Sequence, residues 1–380
     1  MKKKQSDEFS DFPAEEIPFQ QVIAALLDEA TPFPPRYLYR FSDLEEADLE
    51  QLTQVWPEVA LWRRQALMED LQFQAEEDTL LSFEAVGRLG LADEDPQVRF
   101  GAVQTLIASE CDGRDLIEVY LGLVEDDQVP DVRAIAAEAL GPFVYSAELE
   151  RLPQRVQADL ETRLIRAARS DPQDVVRRSA LEALGFSSRP EVTALIEEAY
   201  RSPDPEWQAS ALFAMGRSAN EAWRGPVVKG LAHAAPEVRL EAARAAGELA
   251  LEEARPALFR LADDVDADVG MAAVWSLSQI GGRGVQELLA RRMKRAESDE
   301  EIAFLEAALE NLAFSNDLPG FGEVDFTSED EETGEGGWEV EEDWDDELDE
   351  FESDELDDDF IEETLDEDDD FEDKEEDPDD

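Results

Sequence analysis

The sequence predicts an all-α solenoid of stacked helix pairs over residues 42–315, preceded by an irregular segment with one short helix over 1–41 and followed by a disordered acidic tail over 316–380. Three observations lead there. A short pattern recurs in fixed register between residues 95 and 281. The 380 residues are 43% hydrophobic, enough to bury a sizeable core. The formal net charge of −64 is unevenly spread: residues 317–380 hold 37 Asp and Glu against Lys374 alone, a net of −36, which leaves −28 for residues 1–316.

In chain order, Pro13, Pro18, Pro32, Pro34 and Pro35 restrict the first segment to one short helix, predicted over 19–28. Ser42 with Glu45 forms a capping-box pattern ahead of Leu44, Leu49, Leu52 and Val55. Further helices are predicted at about 57–74 and 78–91, making a degenerate first repeat and a half.

The recurring pattern then begins, reading Pro-x-Val-Arg-x-x-Ala-x-x-Ala-Leu-Gly. Its apolar anchor falls at Val98, Val132, Val176, Trp207, Val238 and Val269, at spacings of 34, 44, 31, 31 and 31 residues, which are two-helix repeat lengths. Four residues beyond each anchor stands Ala102, Ala136, Ala180, Ala211, Ala242 or Ala273. Seven beyond stands Thr105, Ala139, Ala183, Ala214, Ala245 or Ser276, and eight beyond comes Leu106, Leu140, Leu184, Met215, Ala246 or Leu277. These offsets share one helical face, so that face is buried, and its small residues let a neighbouring helix approach closely. Asp95-Pro96 and Asp204-Pro205, with Ala235-Pro236 as a variant, supply helix starts. Gly141, Gly185, Gly216 and Gly247, nine beyond their anchors, are placed to bend or end the helices. Partner helices are predicted over 115–125, 191–201, 253–262 and 285–295, and the 44-residue interval carries an insertion around 144–157. Ser298 with Glu301 starts a last capped helix bearing Ile302, Leu305, Leu309 and Leu312, a terminal cap for the stack.

Over roughly residues 84–296 these repeats resemble the bacterial HEAT-like family often called phycobilisome-lyase-type repeats. The resemblance implies a HEAT-type solenoid, an armadillo-like superhelix. It also implies that the residue after the anchor, here Arg99, Arg133, Arg177 and Arg239, pairs with acidic groups of neighbouring repeats in a ladder, interrupted at Gln208 and Gly270. The family spans chromophore attachment, metal-dependent hydroxylation and pure binding, so the repeats specify fold more than activity.

The side chains for catalysis are scarce. The deoxyhypusine hydroxylase branch of this repeat class holds two irons with several His-Glu pairs, but this chain has one His, His233, followed by Ala234. Imidazole-rich metal sites are thereby ruled out. Cys111, the one cysteine, lies between Glu110 and Asp112, whose charges disfavour thiolate, so it reads as structural. The run Gly281-Gly282-Arg283-Gly284 lacks the strand and the Lys-Ser/Thr ending of a phosphate loop and reads as a helix-helix turn. No catalytic, cofactor-binding or metal-binding residue is expected.

A chain this acidic repels nucleic-acid phosphates, and no basic stripe offsets that field, so direct nucleic-acid binding is not expected. No run approaches the roughly 18 uninterrupted apolar residues of a membrane span, and Gln5 to Glu16 is polar where a secretory signal would be apolar. A cytoplasmic protein is expected. The densest positive patch in the folded part is Arg291, Arg292, Lys294 and Arg295, a docking point for an anion or a helix end made favourable by its dipole. Residues 151–201, with nine Arg against eight acids, are also less negative than their surroundings. In the tail, Phe326, Trp338, Trp344, Phe351, Phe360 and Phe371 recur through the acid, a pattern suited to basic, partly apolar surfaces. The reading that follows is a non-enzymatic protein-protein interaction scaffold whose tail binds basic partners or regulates the solenoid groove. The alternative is an accessory lyase or enzyme subunit.

Overall fold

The computed structural model of the chain describes residues 17–296 and 298–317, with backbone only for 315–317. The first helix, α1 (Phe19–Leu27), is followed by a 3-10 helix at Pro35–Phe41 and by α2 (Glu46–Val55), α3 (Leu61–Glu77) and α4 (Glu84–Gly90). The repeats run through α5 (Pro96–Ala108), α6 (Leu116–Asp126), α7 (Pro130–Ala139), α8 (Gly141–Glu148), α9 (Gln154–Ser170) and α10 (Asp174–Ala183). They continue through α11 (Pro190–Tyr200), α12 (Pro205–Arg217), α13 (Arg224–Gly230), α14 (Pro236–Glu248), α15 (Arg255–Leu261), α16 (Ala267–Ile280), α17 (Val285–Met293) and α18 (Asp299–Asp317).

The architecture is the all-α, HEAT-type solenoid that the pattern predicts. Helices α3, α5, α7, α10, α12, α14, α16 and α18 pack in succession as one row. The intervening helices α4, α6, α9, α11, α13, α15 and α17 form the other row, and α8 is the inserted element of the long interval, packed on α9 and α10. The first row holds the small-residue stripe. All six alanines four beyond the anchors are fully buried, and so are five of the six anchors; Trp207 is only half-buried. Small side chains at these positions allow the close helix approach that stacks this row.

Local chemistry sets the helix ends. Asp95, Asp204 and Asp266 accept backbone N–H groups of the first turns of α5, α12 and α16. Glu110, Ala219 and Ala250, each twelve beyond an anchor, take the left-handed conformation with φ of 50°, 49° and 48°. The chain turns out of the helix there, as the Leu251 N–H bonding back to the Ala246 carbonyl at 2.9 Å illustrates. Two readings of local signals are corrected. Gly216 and Gly247 lie inside α12 and α14 and end nothing: a Cβ at Gly216 would come within 3.0 Å of Ala245 Cα, and one at Gly247 within 2.9 Å of Ser276 Cβ. These glycines admit the next helix. Ser42 caps no helix, because α2 starts only at Glu46 and the Ser42 hydroxyl accepts the Ser82 N–H at 3.0 Å instead. Asp43, at φ 50°, breaks the run that a capping box needs.

A polar ladder crosses the repeat boundaries. Its acceptors sit five residues ahead of the anchors, where the side chains of Asp93, Asp127, Asp171, Ser202, His233 and Asp264 each accept a backbone N–H two residues on. Three of these carboxylates also receive the arginine of the preceding repeat through two hydrogen bonds. Arg99 meets Asp127 at 2.7 and 3.0 Å, Arg133 meets Asp171 at 2.8 and 3.0 Å, and Arg239 meets Asp264 at 2.9 and 2.8 Å. Upstream, Arg64 and the Trp56 indole N–H both reach Asp93, at 2.7 and 2.8 Å. Burial pushes the Asp127 carboxyl up, but Arg99, the Val129 N–H and Arg133 outweigh it and hold the carboxyl below its ordinary range. Arg177 departs from the ladder. Ser202 stands where its carboxylate would be, so Arg177 pairs with Asp174 on its own helix. Gln208 likewise meets no acid and donates to the Ser202 carbonyl at 2.8 Å.

Candidate partner-binding groove

A second set of residues on the anchor row lies three, six and ten beyond the anchors, beside the buried stripe. From successive helices these are Glu138 on α7, Glu182 on α10, Ser210, Phe213 and Arg217 on α12, and Glu241, Arg244 and Glu248 on α14. The first seven of them, with Ala183 and Ala209, line a cavity of about 260 Å³. Arg217 stands at its centre, with its guanidinium 4.0 Å from the Phe213 ring centroid and 5.0 Å from that of Phe186. Phe186 in turn packs on Tyr145 at 4.9 Å. The wall continues into the next repeat with Met271 and Trp275, both exposed, and Trp275 lies 6.0 Å from Phe304.

Four carboxyls share this groove with too few cations. Burial pushes the Glu241 carboxyl up to about 7; Arg244 opposes the shift and Glu182 adds to it. Glu138, Glu182 and Glu248 are raised for the same first reason, although Glu138 and Glu248 also reach solvent at the groove's edge. The Arg217 guanidinium is lowered by burial, against the pull of Glu248, Glu182, Glu138 and Glu241. Glu241 Oε1 accepts from Arg244 at 2.8 Å, while its buried Oε2 has no hydrogen-bond partner among the described residues. Such an arrangement favours a cationic donor supplied from outside, which would satisfy the free oxygen and draw the carboxyls back toward ionisation.

The residues singled out from the sequence fall elsewhere. Arg291, Lys294 and Arg295 are exposed around the end of α17, whereas Arg292 is half-buried, donating to the Ala262 carbonyl and lying 3.7 Å from Asp263. Trp338, Trp344, Phe351, Phe360 and Phe371 lie outside the described residues. Arg99, Arg133 and Arg239 hold ladder rungs and Arg177 does not. The groove residues were missed because the search followed the buried offsets. The signal was nonetheless present six beyond the anchors, where Gln104, Glu138, Glu182, Phe213, Arg244 and Trp275 are all large or charged.

The residues examined for chemistry have structural explanations. His233 replaces the ladder aspartate, its Nδ1 accepting the Ala235 N–H at 3.1 Å and its carbonyl accepting Arg239 at 3.0 Å. Burial, with Glu84 adding and Arg88 opposing, pushes the Cys111 thiol up to about 11, far from a reactive thiolate. Gly281, Gly282 and Gly284 take positive φ in the turn between α16 and α17. No group of three or more His, Cys, Asp or Glu is placed to hold a metal ion among the described residues, and none of the helices described is long and apolar enough to cross a membrane.

A family model described as HEAT repeats matches residues 225–310, from α13 into α18. A search of curated proteins found no match. Among solved structures, the chain is similar to the complex of CpcE and CpcF of phycocyanin lyase from Nostoc sp., at 17% identity and TM-score 0.43, covering 60% of this chain and 94% of that one. It is also similar to human deoxyhypusine hydroxylase, at 19% identity and TM-score 0.31, covering 69% and 96% of the two chains. A third is Kap121p bound to Nup53p, at 11% identity and TM-score 0.40, covering 80% of this chain and 38% of that one. The matched segment, from α13 into α18, carries HEAT repeats, and the helix pairs before it stack in the same register.

Proposed function

We propose that this chain is a non-enzymatic protein-binding scaffold whose groove along α7, α10, α12 and α14 grips a basic, partly aromatic segment of a partner protein. The observation that carries the reading is the convergence of Glu138 from α7, Glu182 from α10 and Glu241 and Glu248 from α14 around Phe186 and Phe213. Carboxylates raised by burial gain most from a neighbouring cation, and the rings give the apolar part of the segment a surface to cover. In the same reading the acidic tail attracts the basic partner over long range, and Trp338, Trp344, Phe351, Phe360 and Phe371 add apolar contact.

The test is fluorescence anisotropy of a labelled peptide of alternating Lys and Phe against the full chain, with a Glu and Phe peptide as control. The basic peptide binds preferentially, and Glu138→Gln with Glu182→Gln and Glu241→Gln weakens it about tenfold or more. Truncation after residue 317 weakens it at low salt far more than at high salt. Equal binding of both peptides, or affinity unchanged by the triple substitution, overturns the groove assignment.

A further inference from the structure

The break in the ladder at Arg177, whose Nη2 turns to Asp174 on its own exposed helix face for want of a carboxylate in the next repeat, creates a second site. In the complete rungs the guanidinium does two things. Its Nη1 donates back to a carbonyl of its own repeat, as Arg133 does to Asp127 at 2.9 Å, and its Nε and Nη2 donate forward to the next repeat's carboxylate. Arg177 keeps the first contact, to the Asp171 carbonyl at 3.3 Å. The second has no counterpart, because the Ser202 hydroxyl accepts the Asp204 N–H at 3.2 Å and so serves only its own turn. The Arg177 side chain is consequently 31% exposed, against 10% for Arg133 and 13% for Arg239.

A cavity of about 400 Å³ opens at this position, among α9, α10, α11 and α12. Leu181, Leu195 and Trp207 give it an apolar wall, and Arg169, Arg177 and Glu198 give it polar groups. The Arg177 guanidinium lies 5.7 Å from the Trp207 ring centroid, and the pair that it makes with Asp174 is exposed enough, at 31% and 50% of the two side chains, for an incoming carboxylate to compete with it. The setting is unusual for this chain. In a body of strong negative charge, the cavity falls in residues 151–201, where Arg outnumbers Asp and Glu. Glu198 at the wall disfavours a doubly charged group, so a single carboxylate fits better than a phosphate.

We propose that this cavity is a carboxylate-binding site, in which a carboxylate on an apolar peptide segment of a partner completes the missing rung with Arg177 while its apolar neighbour covers Trp207. The site shares no lining residue with the groove and is independent of the basic-segment reading. The carboxylate comes from an acidic side chain or from a chain terminus.

Three peptides separate the sources, measured by titration calorimetry against the full chain. An amidated Leu-Asp repeat has side-chain carboxylates, a Leu-Asn repeat with a free C-terminus has one terminal carboxylate, and an amidated Leu-Asn repeat has none. At least one of the first two binds and the third does not. Arg177→Gln lowers that affinity about tenfold or more. Ser202→Asp supplies the absent carboxylate from within, so it abolishes peptide binding and raises the melting temperature. Equal binding of all three peptides, no binding of any at millimolar concentration, affinity unchanged in Arg177→Gln, or a lower melting temperature in Ser202→Asp overturns the assignment.

Discussion

The ladder predicts that one residue type at one repeat position has two very different energetic weights. Arg133 donates to Asp171 at 2.8 and 3.0 Å and to the Asp127 carbonyl at 2.9 Å, with about a tenth of each charged side chain exposed. Arg133→Met removes three charge-assisted hydrogen bonds and strands the Asp171 carboxylate in a poorly hydrated boundary. Breaking one partner of such a pair costs about 3–5 kcal/mol. Arg177→Met removes an i,i+3 pair whose members are 31% and 50% exposed, worth about 1 kcal/mol or less, together with a long 3.3 Å bond to the Asp171 carbonyl, and it strands no buried carboxylate. Adding Asp171→Asn to Arg133→Met recovers much of the loss, because the amide oxygen still accepts the Gln173 N–H and no buried charge remains. Equilibrium urea unfolding followed by far-ultraviolet circular dichroism at pH 7 measures all three, with the unfolding slope checked for loss of cooperativity in this quasi-one-dimensional stack. Equal costs for Arg133→Met and Arg177→Met would refute the ladder as an energetic device and leave it a surface pattern.

Three further outcomes follow from the same geometry. The Glu241 carboxyl holds its proton up to about pH 7 in the folded chain against 4.5 when unfolded, so the native state binds more protons across that window and stability falls as pH rises through it. The slope is at most about 1.4 kcal/mol per pH unit, and urea unfolding at several pH values shows it flattened in Glu241→Gln. Ala242→Leu destabilises by about 1–3 kcal/mol in the same assay, because Ala242 is fully buried and its Cβ lies 2.8 Å from where a Cβ on Gly230 would sit. Ala250→Gly stabilises the fold by about 1 kcal/mol or less and so raises the melting midpoint, since alanine at φ 48° is strained where glycine is not; an unchanged or lower midpoint counts against a strained helix end.

The buried half of the fold was legible because burial constrains size at fixed offsets. Ala180, Ala183 and Leu184 can be placed from the sequence, since only small and apolar residues satisfy a close helix contact at those steps. Helix ends were less legible for the reverse reason. Glu110, Ala219 and Ala250 terminate helices from the left-handed region without the glycine that usually announces it, while Gly216 and Gly247, which look like terminators, stay helical in the last turns of α12 and α14 and admit a neighbour. A glycine serves backbone freedom and close approach with the same absent side chain, and the sequence does not separate the two.

The open face was harder to read, because packing does not hold its residues to one size. Glu138, Glu182 and Glu241 obey no size rule. Read along the chain, each is one more acid among 97, and only the stacking of α7, α10, α12 and α14 turns residues 44 to 103 positions apart into one wall. His233 makes the same point in the other direction. As the single histidine it invites a catalytic reading, yet it occupies the ladder position held elsewhere by Asp127, Asp171 and Asp264, performing their turn bond through Nδ1. Its repeat also follows the one in which Gln208 replaces the ladder arginine, so the uncharged donor and the uncharged acceptor occur at the same boundary. An isolated aspartate there would lack a cation, and an isolated arginine would lack an anion. At the boundary of Arg177 and Ser202 that matching fails, and there the guanidinium pairs within its own helix beside an open cavity.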